Sequence, residues 1–173
     1  MKDLSEIAAQ IFFVNNGEID LLTGAIAQSR FDQIVKRDMQ LSRRNQTQLL
    51  IISATLNLGN YLATKNQINL NQIKIEVESE LVKAYFLLQN IFRQSDCICR
   101  ISTTGFWIFL AGPDSSAGDQ LLTRACDLLP KYLDLAISHY SDPDTQLDWY
   151  AQIDQLHFCL LYTSDAADEG LGV

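Results

Sequence analysis

Apolar positions recur along this chain in two periods, and the switches between them mark its elements. Residues 3–14 place Leu4, Ile7, Ala8, Ile11 and Phe12 on one helical stripe, which Asn15-Asn16-Gly17 breaks. A second helix is predicted over 25–41, with Thr23 as its N-cap and Ile26, Phe31, Ile34 and Val35 buried. Residues 46–56 read as a strand around the run Leu49-Leu50-Ile51-Ile52. Over 68–92, Ile73, Val77, Leu81, Ala84, Leu88, Ile91 and Phe92 recur at the spacing of a long helix. Residues 97–101 are apolar and β-prone apart from Arg100, and 106–111 are almost wholly apolar. Ser102, Thr103, Thr104 and Gly105 between them are small and turn-forming, so the stretch predicts a β-hairpin. A continuous apolar second strand predicts a sheet covered on both faces. A turn at 112–116 leads into a helix over 117–132, whose stripe is Leu121, Leu122, Ala125, Leu128 and Leu129. A strand over 133–140, a turn at Asp142-Pro143-Asp144 and a last helix over 146–158 complete the order.

The length of 173 residues suits one domain with a full core. A net charge of −8 excludes a general nucleic-acid-binding surface. No apolar run approaches the roughly 20 residues that span a bilayer. The first six residues carry acids and lack a signal-peptide pattern, so the expected location is cytoplasmic. The four cysteines have neither metal-site nor disulfide-framework spacing. Cys97 and Cys99 fall on one face of a strand and are expected to be buried free thiols in a reducing compartment. Gly24 and Gly59 form no phosphate loop, and the isolated His139 and His157 read as structural or surface groups.

The hairpin carries a resemblance. Arg93-Gln94-Ser95-Asp96 is an Arg-x-x-Asp motif, followed by five residues and then Ser102-Thr103-Thr104-Gly105-Phe106. This spacing resembles that of bacterial GGDEF domains, which make cyclic di-GMP and carry Gly-Gly-Asp/Glu-Glu-Phe in such a turn. Only Phe106 of that signature is kept. Asp20-Leu21-Leu22-Thr23-Gly24 resembles the family's Asp-x-Leu-Thr-Gly entry motif. The family's following Asn-Arg-Arg is Ala27-Gln28-Ser29 here, while its Phe is kept as Phe31. By the same register, the first-strand acids that the family uses around magnesium fall on Ser53 and Thr55. Its guanine-reading Asn falls on Tyr61, beside Asn60, and its Gly-Asp pair on Val77-Glu78; Glu78 by itself reads as a solvated helix-face acid. Asp154 matches an acid of the family's closing helix.

The resemblance implies an α/β (α+β), palm-like nucleotidyl cyclase fold, with a central, mainly antiparallel sheet flanked by helices. It divides the chain into an N-terminal helix and linker (1–18), a degenerate, C-terminally truncated GGDEF domain (19–158), and a tail (159–173). The tail looks like the translation of a transposon-type sequencing adapter and is read as non-native.

The family's chemistry needs carboxylates on Mg²⁺ and close backbone approach to phosphates. Ser53, Thr104 and Gly105 stand where the acids would be, and Ser102 and Thr103 replace the glycines. The expectation is therefore an inactive relative of diguanylate cyclase, with no catalytic residue, no metal ligand and no cofactor, Mg²⁺ included. Arg93 and Asp96 stand where the family binds cyclic di-GMP as an inhibitor. An arginine fork suits phosphate and the guanine Hoogsteen edge, and a carboxylate accepts from guanine N–H groups. The two could instead serve a helix end and a turn. Two readings stay open: a cyclic di-GMP-binding signalling domain, or a non-binding dimerisation or regulatory scaffold for a neighbouring domain such as an EAL phosphodiesterase. Partners are then cyclic di-GMP, a second copy or an in-cis signalling domain.

Overall fold

The computed structural model describes residues 3–66, 69–112 and 114–156. The 159–173 tail, His157 and the first residue of the expected 68–92 helix lie outside them. The chain folds in the order α1 (Leu4–Gln10), α2 (Gln28–Asn45), β1 (Leu49–Leu56), α3 (Leu58–Ala63), α4 (Leu70–Ile91), β2 (Cys97–Arg100), β3 (Gly105–Ala111), α5 (Ser115–Leu128), β4 (Leu133–His139) and α6 (146–156). The four strands form one sheet in the order β2-β3-β1-β4, and each neighbouring pair is antiparallel.

Strand periodicity sorts the core into two layers. Leu50, Ile52, Ala54 and Leu56 of β1 point to one face, with Phe106, Ile108 and Leu110 of β3 and Ile98 of β2. There they meet Ile7 and Ile11 of the α1 segment, Leu58 and Tyr61 of α3, Val77, Leu81 and Leu88 of α4, and Ala125 of α5. Leu49 and Ile51 point the other way with Cys99, Trp107 and Phe109, onto Phe31, Val35 and Met39 of α2 and Trp149 and Ile153 of α6. The central strands are therefore apolar on both faces, as a sheet with helices on each side requires. Trp149 is fully buried, and its indole N–H donates to Ser138 Oγ at 3.0 Å.

Several boundaries differ from the periodicity. α1 stops at Gln10, because Ile11 turns extended; Phe12 is 40% exposed instead of continuing the stripe. Thr23 is not an N-cap. α2 begins at Gln28 behind Ala27, and the Thr23 N–H and hydroxyl instead donate to Asp20 Oδ2 at 2.8 and 2.7 Å. This closes a turn that ends on Gly24 at φ +83°, a conformation that suits glycine. Residues 25–27 run extended, with Ile26 bridging Cys99 in parallel at the sheet edge. α3 was hidden in the pattern because it is only six residues long. Leu128, expected in the α5 stripe, is 54% exposed, while Ala125 and Leu129 are buried. Of the thiols, Cys99 is buried and Cys97 half-buried, but Cys126 is exposed.

One polar contact runs through this framework. Arg100, the lone charge in β2, is buried and bonds both oxygens of buried Asp20 at 3.0 and 3.1 Å. Its second amino group donates to the Thr103 carbonyl at 3.0 Å, and Phe13 lies over the guanidinium at 5.1 Å. Burial lowers the Arg100 pKa, and the Asp20 charge opposes that shift. Removing one partner leaves an uncompensated buried charge. Asp20→Ala is therefore expected to cost about 3–5 kcal/mol in chemical denaturation. Adding Arg100→Met to that variant should recover much of the loss.

Candidate functional site

The hairpin and the end of β1 are brought together by sheet register. Ser53 pairs with Trp107, Ala54 with Phe106 and Thr55 with Gly105. The two stretches that the sequence register equated with metal-binding positions are thus neighbours across one strand pair. Phe106 is fully buried and stacks on Tyr85 at 6.2 Å, so the residue matched to the signature phenylalanine anchors the hairpin from below. The turn itself is residues 101–104, and Gly105 already belongs to β3. The Ile101 and Ser102 N–H groups both donate to the Gly105 carbonyl, at 3.0 and 3.4 Å.

Beside this turn lies a cleft of about 450 Å³. Thr55, Asn57, Ser102, Thr104, Trp107, Asp134 and Asp154 line it, with Leu4, Ser5 and Ala8 of α1 across the opening. Asn57 donates to Asp134 at 3.0 Å. The lining holds two carboxylates and no basic side chain, so it offers no cation to a phosphate. Ser53 lies in the sheet itself, fully buried, with no hydrogen-bond partner for its hydroxyl. Among the described residues, no three His, Cys, Asp or Glu side chains gather as a metal site would need.

The positions matched to guanine reading are filled by the chain itself. Tyr61 is buried, edge-on to Tyr132 at 5.1 Å, with its hydroxyl 3.4 Å from Glu76. Tyr132 in turn bonds Glu80, and burial foremost raises its pKa. Val77 is buried in the core. Glu78 is half-buried rather than a solvated helix-face acid. It accepts the Phe12 N–H at 2.8 Å and so fastens the N-terminal segment to α4.

Arg93 and Asp96 lie elsewhere, at the turn from α4 into β2. The Arg93 N–H donates to Asp96 Oδ2 at 2.9 Å, and the Asp96 N–H donates back to the Arg93 carbonyl at 3.0 Å. This reciprocal pair fixes the turn and leaves the Arg93 side chain exposed. Burial raises the Asp96 pKa above its ordinary value, and the Arg93 backbone bond and charge counteract it. Both residues line a cleft of about 640 Å³ that closes against α5. Asp114, Gln120 and Arg124 line its other wall.

Arg124 had no motif to mark it. It follows Gln120 by one helical turn, next to buried Ala125, so the apolar side of α5 sets which way it faces. Arg100 could be suspected as a charge inside an apolar strand, but its partner lies 80 residues away.

No protein-family model matches the chain, and no curated protein matches it in sequence. Solved structures do. The GGDEF domain of DgcB from Caulobacter crescentus, in complex with c-di-GMP, superposes with a TM-score of 0.63 at 9% identity. That match covers 89% of this chain and 93% of the other. The FimX GGDEF domain from Pseudomonas aeruginosa matches at 0.59 and 15% identity, over 88% and 94%. A DGC protein from Thermotoga maritima matches at 0.55 and 19%, over 79% and 95%.

This chain has the GGDEF-domain fold. The expected α/β order and mainly antiparallel sheet are those observed, and no described helix is long and apolar enough to cross a membrane.

The hairpin is also packed against any side chain at Gly105. A Cβ there would sit 2.9 Å from Ser102 Oγ and 3.2 Å from Thr55 Oγ1. Gly105→Ala is expected to lose about 1 kcal/mol in urea unfolding through overpacking. The added change Ser102→Ala, which removes the closer atom, should restore most of it.

Proposed function

We propose that this chain is a catalytically inactive signalling domain of the GGDEF fold that binds cyclic di-GMP through Arg93, Asp96 and Arg124. The observation that carries this reading is the shared cleft. Two guanidinium groups from separate elements and one half-buried carboxylate converge on a space of about 640 Å³. Planar forks can take phosphate oxygens or the O6/N7 edge of guanine in two parallel bonds. The carboxylate supplies the acceptor that guanine N–H groups need. The similar DgcB structure holds c-di-GMP, which supports the ligand class.

Inactivity rests on the other cleft. Ser53, Thr104 and Gly105 stand in for the metal-holding acids, and the lining carries no basic group for a triphosphate. Two carboxylates without a cation there repel a polyanion instead of binding it. A domain that binds a messenger and makes none passes information to a partner, which we take to be a second copy or a domain on the same polypeptide. We place it in the cytoplasm, where the messenger is made.

Calorimetry on the full chain tests this. The expected result is micromolar binding of cyclic di-GMP, weakened about 10- to 100-fold by Arg93→Ala or Arg124→Ala through loss of charge-assisted hydrogen bonds. A folded chain giving no heat overturns it. Incubation with GTP and Mg²⁺ should yield no cyclic di-GMP.

The binding should also depend on pH in a stated direction. Only ionised Asp96 accepts from two guanine N–H groups, so affinity falls as pH drops through the Asp96 pKa. That pKa lies above the ordinary 3.8, so the loss begins at a higher pH than for a free aspartate. Asp96→Asn should abolish the dependence.

A further inference from the structure

Neither cleft uses the outward side of α2. Phe31, Val35, Met39 and Ser42 of this helix are buried. Around the helix from them, Arg30, Ile34, Arg37, Leu41 and Arg44 follow one another at alternating spacings of four and three residues. Residues so spaced are neighbours along one strip of a helix. The spacing is also that of a seam that packs on a second helix. The three arginines are exposed, Leu41 is 45% exposed, and Ile34 is half-buried beside the Phe31 cluster.

Helix stability alone does not account for the strip. Arg43 and Arg44 suit a helix C-terminus, but Arg30 stands in the first turn, where the helix dipole disfavours a cation and no acid is present. α2 holds five of the 13 basic residues and two of the 21 acids, so it is a positive element in a chain of net charge −8. Both acids are engaged locally. Asp32 accepts from the Tyr150 hydroxyl at 2.8 Å, and Asp38 accepts from Arg37 Nε at 2.8 Å.

We propose that this strip binds an acidic amphipathic helix of another domain, with leucine-type side chains against Ile34 and Leu41 and carboxylates opposite Arg30, Arg37 and Arg44. Arginine forks take carboxylates in two parallel bonds. A second copy of the strip offers no acid. Parallel pairing sets arginine against arginine, and antiparallel pairing sets it against Ile34 or Leu41. An anionic membrane is a poorer match. The apolar side of α2 is already buried in the domain, leaving nothing to insert. A wide surface also meets the whole net charge, whereas a helix meets only the strip.

The seam from Arg30 to Arg44 is about 21 Å long at 1.5 Å per residue. One helix pair of that length falls at the small end of specific interfaces, so a dissociation constant on the order of 100 μM is expected. The proposal does not rest on cyclic di-GMP binding. α2 covers one face of the sheet and the Arg93 cleft closes against α5 on the other, so the two can fail separately.

The test uses the full chain and a fluorescent, alanine-based helical peptide of about 20 residues, with glutamate and leucine alternating at the same spacing. Anisotropy should show saturable binding that weakens several-fold as salt is raised to physiological strength. Arg37→Glu should weaken it about fivefold, and changing the facing glutamate of the peptide to lysine should restore it. Leu41→Ser should weaken it about tenfold through lost apolar burial. Lys36→Glu makes the same charge change beside the strip and should alter binding by less than about twofold. All of these residues are exposed, so circular dichroism should show unchanged helicity. No saturable binding by the folded chain overturns the proposal, as does an equal loss on Lys36→Glu and Arg37→Glu. Cosedimentation with phosphatidylserine-containing vesicles that is lost in Arg37→Glu, without binding of the peptide, overturns the acidic helix as occupant.

Discussion

The buried pair of Asp20 and Arg100 is the contact on which the hairpin and the chain's entry both depend. Asp20 gathers the Thr23 hydroxyl and N–H and two bonds from one Arg100 amino group. Arg100 passes its other amino group to the Thr103 carbonyl, inside the turn. The pair thereby joins the segment before α2 to the tip of the β2–β3 hairpin. Its guanidinium Nε has no partner among the described atoms, so the burial is not fully compensated. Two charges at this depth are a poor source of net stability. What they provide is position, because neither the 20–24 turn nor the hairpin tip can shift without stranding a charge.

That rigidity holds the hairpin independently of what its tip carries. The framework around residues 102–106 is held by Phe106 from below, by β1 from the side and by Arg100 from within. None of these contacts requires a metal or a phosphate. The tip residues Ser102, Thr103 and Thr104 are small and neutral, and the sheet is held without them. Tyr61, Val77 and Glu78 each have partners within the chain. Tyr61 sits against Tyr132, Val77 lies in the core, and Glu78 holds the N-terminal segment.

The cleft at Arg93 has a different construction. Its carboxylate is both a structural acceptor for the Arg93 N–H and a half-buried group facing α5. The reciprocal backbone bonds keep the turn fixed whether or not a ligand is present. The side chains of Arg93 and Arg124 are exposed, so ordering either one against a ligand would cost about 0.5–1.5 kcal/mol in lost rotamer freedom.

The sequence by itself determined the element order and the two-sided sheet, because a core face must be apolar at the period of its element. Ile73 to Ile91 repeat every three to four residues, and the even and odd positions of β1 and β3 are apolar alike. It also determined the link between Arg93-x-x-Asp96 and the hairpin, since both lie within fifteen residues of chain. Tertiary structure alone decided what comes from far apart. Thr23 looked like a cap because its local context fits one, yet Asp20 captures it once Arg100 has fixed that carboxylate. α1 ended four residues early because Glu78, on α4, offers the Phe12 N–H an acceptor outside the helix. Arg124 joined Arg93 only when α5 packed on the sheet. Local pattern fixes which face of an element is buried; it carries no record of which other element covers it.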